Sequence, residues 1–96
     1  MDSDGDMKRM QALFSGRVQG VGFRCIVCRV ARSFKVTGIV RNLMDGNVEV
    51  VAEGFEQELV GFLNAIRDSP VGRYIAREQL CWGPATDKYD RFRISY

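Results

Sequence analysis

Two stretches of the chain space their apolar residues as an amphipathic helix does. The apolar positions of the first stretch are Phe23, Ile26, Val27, Val30, Ala31 and Phe34. Their intervals of three, one, three, one and three residues keep these side chains on one face, which predicts a helix beginning at or just before Phe23. The apolar positions of the second stretch are Leu59, Phe62, Leu63 and Ile66. They predict a helix over about 56–68, which the proline and glycine of segment 69–72 end.

The remaining segments alternate apolar and polar residues or are rich in β-branched residues, as strands are. The predicted strands are 9–15, 36–43, 47–54, 74–82 and 91–95. Asp45 and Gly46, between the second and third strands, form an Asp-Gly pair that predicts a hairpin. The fourth strand is the least regular, because Glu78 falls in phase with Leu80 and places a charge on its apolar face. Segment 83–90 has the composition of a loop.

The order of these elements predicts an α+β fold of a particular kind. Strand, helix, strand, strand, helix, strand is the βαββαβ order of a ferredoxin-like sandwich. We expect an antiparallel sheet with both helices on one face, plus a short C-terminal strand. The 96 residues, 46% of them hydrophobic, suit one domain with its own core. We expect a disordered tail over 1–7 and the domain over 8–96, without repeats or linkers.

Charge and composition exclude several classes of protein. A net charge of +2 is too small to indicate nucleic-acid binding by itself. No apolar run is long enough to span a membrane, and the acidic start "MDSDGDMKRM" does not resemble a secretory signal, so we expect a cytoplasmic protein. The sequence carries no firm evidence on oligomeric state, and we take a monomer as the expectation. Histidine is absent, so any catalysis must proceed without imidazole.

The segment "GRVQGVGFR", residues 16–24, is the strongest candidate for chemistry. Three glycines lie within seven residues at the start of the first predicted helix, where backbone amides lack intrahelical acceptors and the dipole favours an anion. Arg24 falls in the first helical turn, where a cation is unfavourable unless an anion such as phosphate binds beside it. An ordinary glycine-rich turn with a solvated arginine is an equally good interpretation of the pattern alone. The segment matches neither the P-loop nor the dinucleotide motif.

A second segment, "VTGIVRNLMDGNVEVVAEG" (36–54), joins the first in a resemblance to the acylphosphatase family. The resemblance runs from about Met10 to Tyr96 and includes the terminal "FRISY". It implies a ferredoxin-like fold, hydrolysis of the carboxyl–phosphate bond of acyl phosphates, and no metal or cofactor. The small net charge and the lack of a long apolar run, and not the resemblance, lead us to expect no nucleic-acid or membrane partner.

The resemblance also implies which residues form the active site. The backbone amides of a phosphate-binding loop would be those of Arg17, Val18, Gln19, Gly20, Val21, Gly22 and Phe23. Arg24 would be the catalytic arginine, and Asn42 would orient the attacking water. Since the leaving group is a carboxylate, positioning and charge stabilisation would supply most of the catalysis, and no histidine is needed. From spacing alone, Asn42 is a strand-end residue that bonds the following turn.

Some residues depart from the family pattern. Cys25 stands where members often carry a larger residue, and it forms a C-x-x-C with Cys28. The pair is either a redox or metal site or a coincidence; without a second pair or a histidine, coincidence is the better interpretation. On a helical wheel both thiols lie away from the apolar stripe, so we expect them to be accessible. With Cys81 the count is three, which argues against a disulfide framework.

Two other functions fit parts of the sequence. RNA-recognition domains share the element order, and "GVGFRCIV" loosely resembles their glycine-aromatic motif, although here the motif opens a helix rather than lying on a strand. The chain also resembles the acylphosphatase-like domain at the start of larger hydrogenase-maturation carbamoyltransferases, which suggests a regulatory or assembly module. Because this chain ends where that domain ends, we expect a free-standing enzyme.

Overall fold

The computed structural model describes residues 6–96, so residues 1–5 of the expected tail lie outside the described residues. The elements are β1 (Met7–Gly16), α1 (Phe23–Ala31), β2 (Thr37–Asn42), β3 (Val48–Phe55), α2 (Glu56–Asp68), a 3₁₀ turn (Gly72–Tyr74), β4 (Ile75–Pro84) and β5 (Phe92–Ile94). This is the βαββαβ order expected from the sequence, followed by the short last strand. Met7, which we assigned to the tail, is the first residue of β1.

The five strands form one sheet in the order β4-β1-β3-β2-β5. The first four pair antiparallel with their neighbours, as the sequence predicted. β5 instead lies parallel to β2, with Val40 opposite Ile94, so the complete sheet is mixed. This edge position brings the end of the chain beside β2, the strand that ends at Asn42.

The hydrophobic core lies between the two helices and one face of the sheet. Met10, Ala12 and Phe14 of β1 are fully buried there. The helices contribute the residues that their periodicity predicted: Phe23, Val27 and Ala31 from α1, and Leu59, Phe62, Leu63 and Ile66 from α2. No helix within residues 6–96 combines the length and apolar character needed to cross a membrane.

The charge that made β4 irregular has a partner on the second helix. Glu78 lies opposite Phe14 of β1, and therefore on the face that the helices cover. Arg67 of α2 binds its carboxylate with two nitrogens, Nε at 2.9 Å from Oε2 and Nη2 at 2.6 Å from Oε1. A bidentate pair at an edge strand satisfies the charge without burying it, which explains a glutamate at a position expected to be apolar. β4 also extends to Pro84, two residues into the expected loop.

The other face of the sheet is crossed by the segment that joins β4 to β5. These strands lie at opposite edges, so residues 85–91 must pass over the sheet. Glu53 of β3 holds this crossover segment: its carboxylate accepts hydrogen bonds from the Thr86 amide at 2.9 Å, the Thr86 hydroxyl at 2.7 Å and the Asp87 amide at 2.9 Å. The carboxylate is therefore buried, and Glu53 is only 2% exposed.

Candidate active site

The loop between β1 and α1 turns sharply because its glycines have left-handed backbone angles. Gly20 has a φ of 79° and Gly22 a φ of 80°. No heavy atom lies within 4 Å of a Cβ built at either position, so the backbone angle and not crowding favours glycine. Gly22 is the N-cap residue of α1 and has no side chain with which to cap it. The start of the helix is therefore left open toward the loop.

The backbone amides of this loop and of the first helical turn are available as donors. The first helical hydrogen bond runs from the Ile26 amide to the Gly22 carbonyl at 3.1 Å. Within residues 6–96, no protein group accepts a hydrogen bond from the amides of residues 18–25. Donors that converge at an uncapped helix N-terminus favour an anion, because the helix dipole adds to them.

Both ends of the loop are anchored, so the donors have a defined arrangement. The Arg17 amide donates to the Tyr74 carbonyl at 3.1 Å, and the Val18 side chain is fully buried. At the helix start, Phe23 packs against Phe14 with ring centroids 5.5 Å apart. Since Phe23 is only 2% exposed, its ring is not available to stack on a base, which removes the structural basis of the RNA-binding interpretation.

Arg24 lies in the first turn of α1, where no acidic residue accompanies it. Its side chain is half-buried, and the Tyr96 ring lies beside the guanidinium, with Cζ 5.1 Å from the ring centroid. A cation in this position is repelled by the helix dipole. A bound anion would reverse that disadvantage, because the guanidinium and the loop amides would then share it.

Asn42 is the last residue of β2, and its side chain makes no hydrogen bond to the turn that follows. Other groups make the hydrogen bonds of that turn: the Leu43 amide donates to the Asn47 carbonyl at 2.8 Å, and the Asn47 amide donates to Asp45 Oδ1 at 3.0 Å. Within the described part of the chain, no protein group is hydrogen-bonded to the Asn42 carboxamide. The interpretation of Asn42 as a turn-bonding residue is therefore wrong.

One small cavity brings the predicted residues together. Its volume is about 100 Å³, room for several water-sized groups. Its lining contains six of the nine residues that the resemblance implicated: Val18, Gly20, Gly22, Phe23, Arg24 and Asn42. Of three larger grooves in the described part of the chain, those of about 720 and 710 Å³ contain none of the nine, and one of about 290 Å³ contains only Arg17. The small cavity is therefore distinguished by the residues that line it and not by its volume.

Three of the implicated residues lie outside the cavity lining. The Arg17 amide, expected to be a phosphate donor, is already bonded to Tyr74, so this residue fixes the start of the loop instead. Val21 is exposed. The Gln19 side chain turns to the β2–β3 hairpin, where Nε2 donates to the carbonyls of Leu43 and Asn47, each at 2.8 Å.

The sequence analysis did not assign three residues of the cavity wall to the site: Cys25, Ile94 and Tyr96. Ile94 and Tyr96 line it together with Arg24 and Asn42. The alternation of "FRISY" predicted a strand but not its neighbour. Only the parallel pairing of β5 with β2 places these side chains beside the site.

The two cysteines of α1 differ in environment. Cys25 is exposed and lines the cavity, as the helical wheel predicted. Cys28 is of intermediate exposure: it packs against the core and also lines one of the larger grooves, so it is less accessible than Cys25. Burial raises the pKa of the Cys28 thiol and the nearby Cys25 adds to this rise, while Arg32 opposes it. No group of three potential metal ligands among His, Cys, Asp and Glu occurs within residues 6–96.

Comparison with known proteins relates the whole of this architecture to one family. A family described as Acylphosphatase matches residues 10–94. The chain is 40% identical to an acylphosphatase of Salinibacter ruber over 90 residues, which cover 94% of this chain and 95% of that protein. The crystal structure of acylphosphatase from Bacillus subtilis superposes with a TM-score of 0.83 at 35% identity, covering 93% of this chain and 99% of that one.

A larger protein contains a similar unit. Full-length HypF, in a crystal structure of its phosphate- and nucleotide-bound form, matches with a TM-score of 0.81 at 26% identity. The match covers 95% of this chain but 12% of that one. The same fold therefore also occurs as a small part of a longer protein.

Proposed function

This chain belongs to the acylphosphatase family and hydrolyses the carboxyl–phosphate bond of acyl phosphates, and from that premise we propose how its residues divide the reaction. The phosphoryl group binds at the N-terminus of α1. Amides from residues 18–23 and the Arg24 guanidinium donate hydrogen bonds to its oxygens. The Asn42 carboxamide holds the attacking water on the far side of the phosphorus from the acyl oxygen.

The proposed binding mode follows from charge. A phosphoryl group in transfer carries negative charge on its equatorial oxygens, and pre-arranged donors stabilise that charge without reorganising. The uncapped first turn of α1 supplies backbone donors, and Arg24 supplies a planar guanidinium suited to two phosphate oxygens. The position of Arg24 at the helix start, unfavourable by itself, becomes favourable when the phosphoryl group binds.

The proposed hydrolysis is a single displacement. The water oxygen forms a bond to phosphorus while the bond from phosphorus to the acyl oxygen breaks, and that electron pair leaves with the carboxylate. A water proton passes to a phosphoryl oxygen, so no side-chain base is needed. Asn42 suits its role because the carboxamide oxygen accepts a hydrogen bond from water and the NH₂ group donates one. Holding the water in line supplies much of the rate.

One observation carries this proposal: Arg24 and Asn42, from different elements, line the same cavity as the open start of α1. Within the described residues, neither the Asn42 carboxamide nor the backbone amides of residues 18–25 have a hydrogen-bond partner in the protein. The cavity therefore presents unused donors and acceptors. Asn42 and the glycines of the loop are solvent-exposed, so a phosphoryl group and the attacking water can reach these donors and acceptors directly.

The test is an assay of benzoyl phosphate hydrolysis. The rate is measured from the change in absorbance, with a metal chelator present throughout. We expect Arg24→Gln to lower kcat/KM by about 10³-fold, as removal of a transition-state arginine does. We expect Asn42→Ala to lower kcat by about 10²-fold while inorganic phosphate still inhibits, because phosphate binding does not need Asn42.

Matched control variants separate these roles from general effects. Arg29→Gln removes an exposed arginine from the same helix, and Asn64→Ala removes an exposed asparagine from α2. Both should retain kcat and KM within about twofold, since surface substitutions away from a site have small effects. Full activity in Arg24→Gln or Asn42→Ala, with circular dichroism unchanged, would refute the assigned roles.

The monomeric state and the cytoplasmic compartment stay predictions. Sedimentation velocity over a range of protein concentrations would check the monomer. A specific activity that rises with concentration would contradict it.

A further inference from the structure

The side chain of Gln19 joins the two halves of the active site. Its Nε2 has two hydrogens and lies 2.8 Å from the carbonyl oxygen of Leu43 and 2.8 Å from that of Asn47. These two residues close the β2–β3 hairpin, because the Leu43 amide also donates to the Asn47 carbonyl. The carboxamide of Gln19 therefore bonds to the first and the last residue of the turn that joins β2 to β3.

This is the only hydrogen-bonded link between loop and turn in the described part of the chain. Within residues 6–96, no other hydrogen bond joins segment 17–22 to segment 43–47. The turn is otherwise solvent-exposed, and Met44 at its tip is fully exposed. Without the link, no hydrogen bond within residues 6–96 would join the turn directly to the phosphate-binding loop.

We propose that Gln19 is a positioning residue for hydrolysis, which sets the distance between the bound phosphoryl group and the water held by Asn42. The proposal rests on the function proposed above. Asn42 directly precedes Leu43, so a bond to the Leu43 carbonyl fixes the backbone next to the water-orienting side chain. Gln19 itself lies within the loop whose amides hold the phosphoryl group.

A link of this kind acts on the rate rather than on phosphate affinity. The amides and Arg24 belong to the loop and α1, and they keep their arrangement when the hairpin moves. The water moves with the hairpin, and a displacement of about 1 Å from the line of attack lowers a rate by roughly 10²-fold. Loss of the Gln19 bonds should therefore lower kcat and leave phosphate binding nearly unchanged.

The decisive variant is Gln19→Met, which keeps a side chain of similar length and removes both donors. We expect kcat for benzoyl phosphate to fall by about 10–100-fold, with the inhibition constant of inorganic phosphate changed less than about threefold. In an Asn42→Ala background, Gln19→Met should cause no further loss, because the water is then no longer held. If Gln19→Met does not fold, Gln19→Ala takes its place.

Gln11→Met is the matched control. The Gln11 carboxamide also donates a hydrogen bond, at 2.6 Å to Glu49, but it lies on the sheet face opposite the helices and outside the cavity lining. This variant should keep kcat within about twofold, as expected for a change away from the site.

Three results would overturn the role of Gln19. They are a kcat within twofold of the unaltered protein, a phosphate inhibition constant that weakens as much as kcat falls, and a loss that multiplies in the Asn42→Ala background. Full activity of Asn42→Ala would instead refute the proposed function. An inactive Asn42→Ala beside a fully active Gln19→Met would refute the positioning role alone.

Discussion

Replacing Glu53 by glutamine should destabilise the fold by about 2–4 kcal/mol at neutral pH. The carboxylate accepts three hydrogen bonds from Thr86 and Asp87 and is almost completely buried. Glutamine retains one acceptor oxygen, but its NH₂ group must face a donor of the crossover segment. At least one buried bond is then lost and the others lose their charge, and each charged hydrogen bond contributes about 1.5–3 kcal/mol.

The effect of this substitution should depend on pH. Burial by itself raises the pKa of Glu53, but the hydrogen bonds from Thr86 and Asp87 and the charge of Arg9 outweigh it, so the pKa lies below its ordinary value of 4.5. A lowered pKa stabilises the folded protein fully above the pKa of the unfolded chain. That stabilisation is lost as the pH falls through the lowered pKa of the folded state. Glutamine does not titrate, so the difference between the two proteins should shrink in acid.

Urea unfolding followed by circular dichroism at several pH values between 7 and 3 measures both quantities. Glu58→Gln is the control, because the Glu58 carboxylate accepts one exposed hydrogen bond, from the Lys35 amide at 2.7 Å. We expect it to lower the free energy of unfolding by less than about 1 kcal/mol. The reasoning fails if Glu53→Gln is as stable as the unaltered protein at pH 7. It fails also if the difference between them is the same at pH 7 and pH 3.

Two further predictions concern Tyr96 and Cys28. Tyr96→Leu removes the ring beside Arg24 and should lower kcat/KM for benzoyl phosphate about two- to fivefold, since an exposed cation–π contact contributes about 0.5–1 kcal/mol. Tyr74→Leu, which removes the equivalent ring 5.1 Å from Arg73, should leave kcat/KM of the folded protein unchanged; equal losses would contradict a role for Tyr96. Cys28 should react with iodoacetamide at pH 8 several-fold more slowly than Cys25 and Cys81, because it is partly buried and its pKa is raised. Peptide mapping by mass spectrometry measures the three rates, and a Cys28 rate equal to that of Cys25 would refute this.

Local sequence patterns were sufficient for the helices and most strands. The structure has α2 at Glu56–Asp68 and begins α1 at Phe23, as the apolar spacing predicted. Periodicity works here because each helix buries one face, and burial of that face selects the residue types along it. The prediction was less complete for β4, because the side chain that satisfies Glu78 comes from a different element, Arg67 of α2, and the packing of α2 against β4 is not a local pattern.

The candidate site was only partly visible in the sequence. The glycines of residues 16–24 and the cation at the helix start indicated an anion site through local backbone chemistry, and the family resemblance added Asn42. The sequence could not indicate that the Arg17 amide is bonded to Tyr74, or that the Gln19 side chain reaches the hairpin. These contacts join segments that are distant along the chain, and no local pattern encodes them.

The sequence by itself therefore determined the elements, the open helix start and the chemical types of the candidate residues. Tertiary structure alone decided which of them meet. The antiparallel pairing of β2 with β3 and the crossover that carries β5 back beside β2 bring Asn42, Arg24 and Tyr96 to one cavity. The physical reason is that a local pattern specifies which face of an element is buried, whereas strand pairing and packing specify its neighbours.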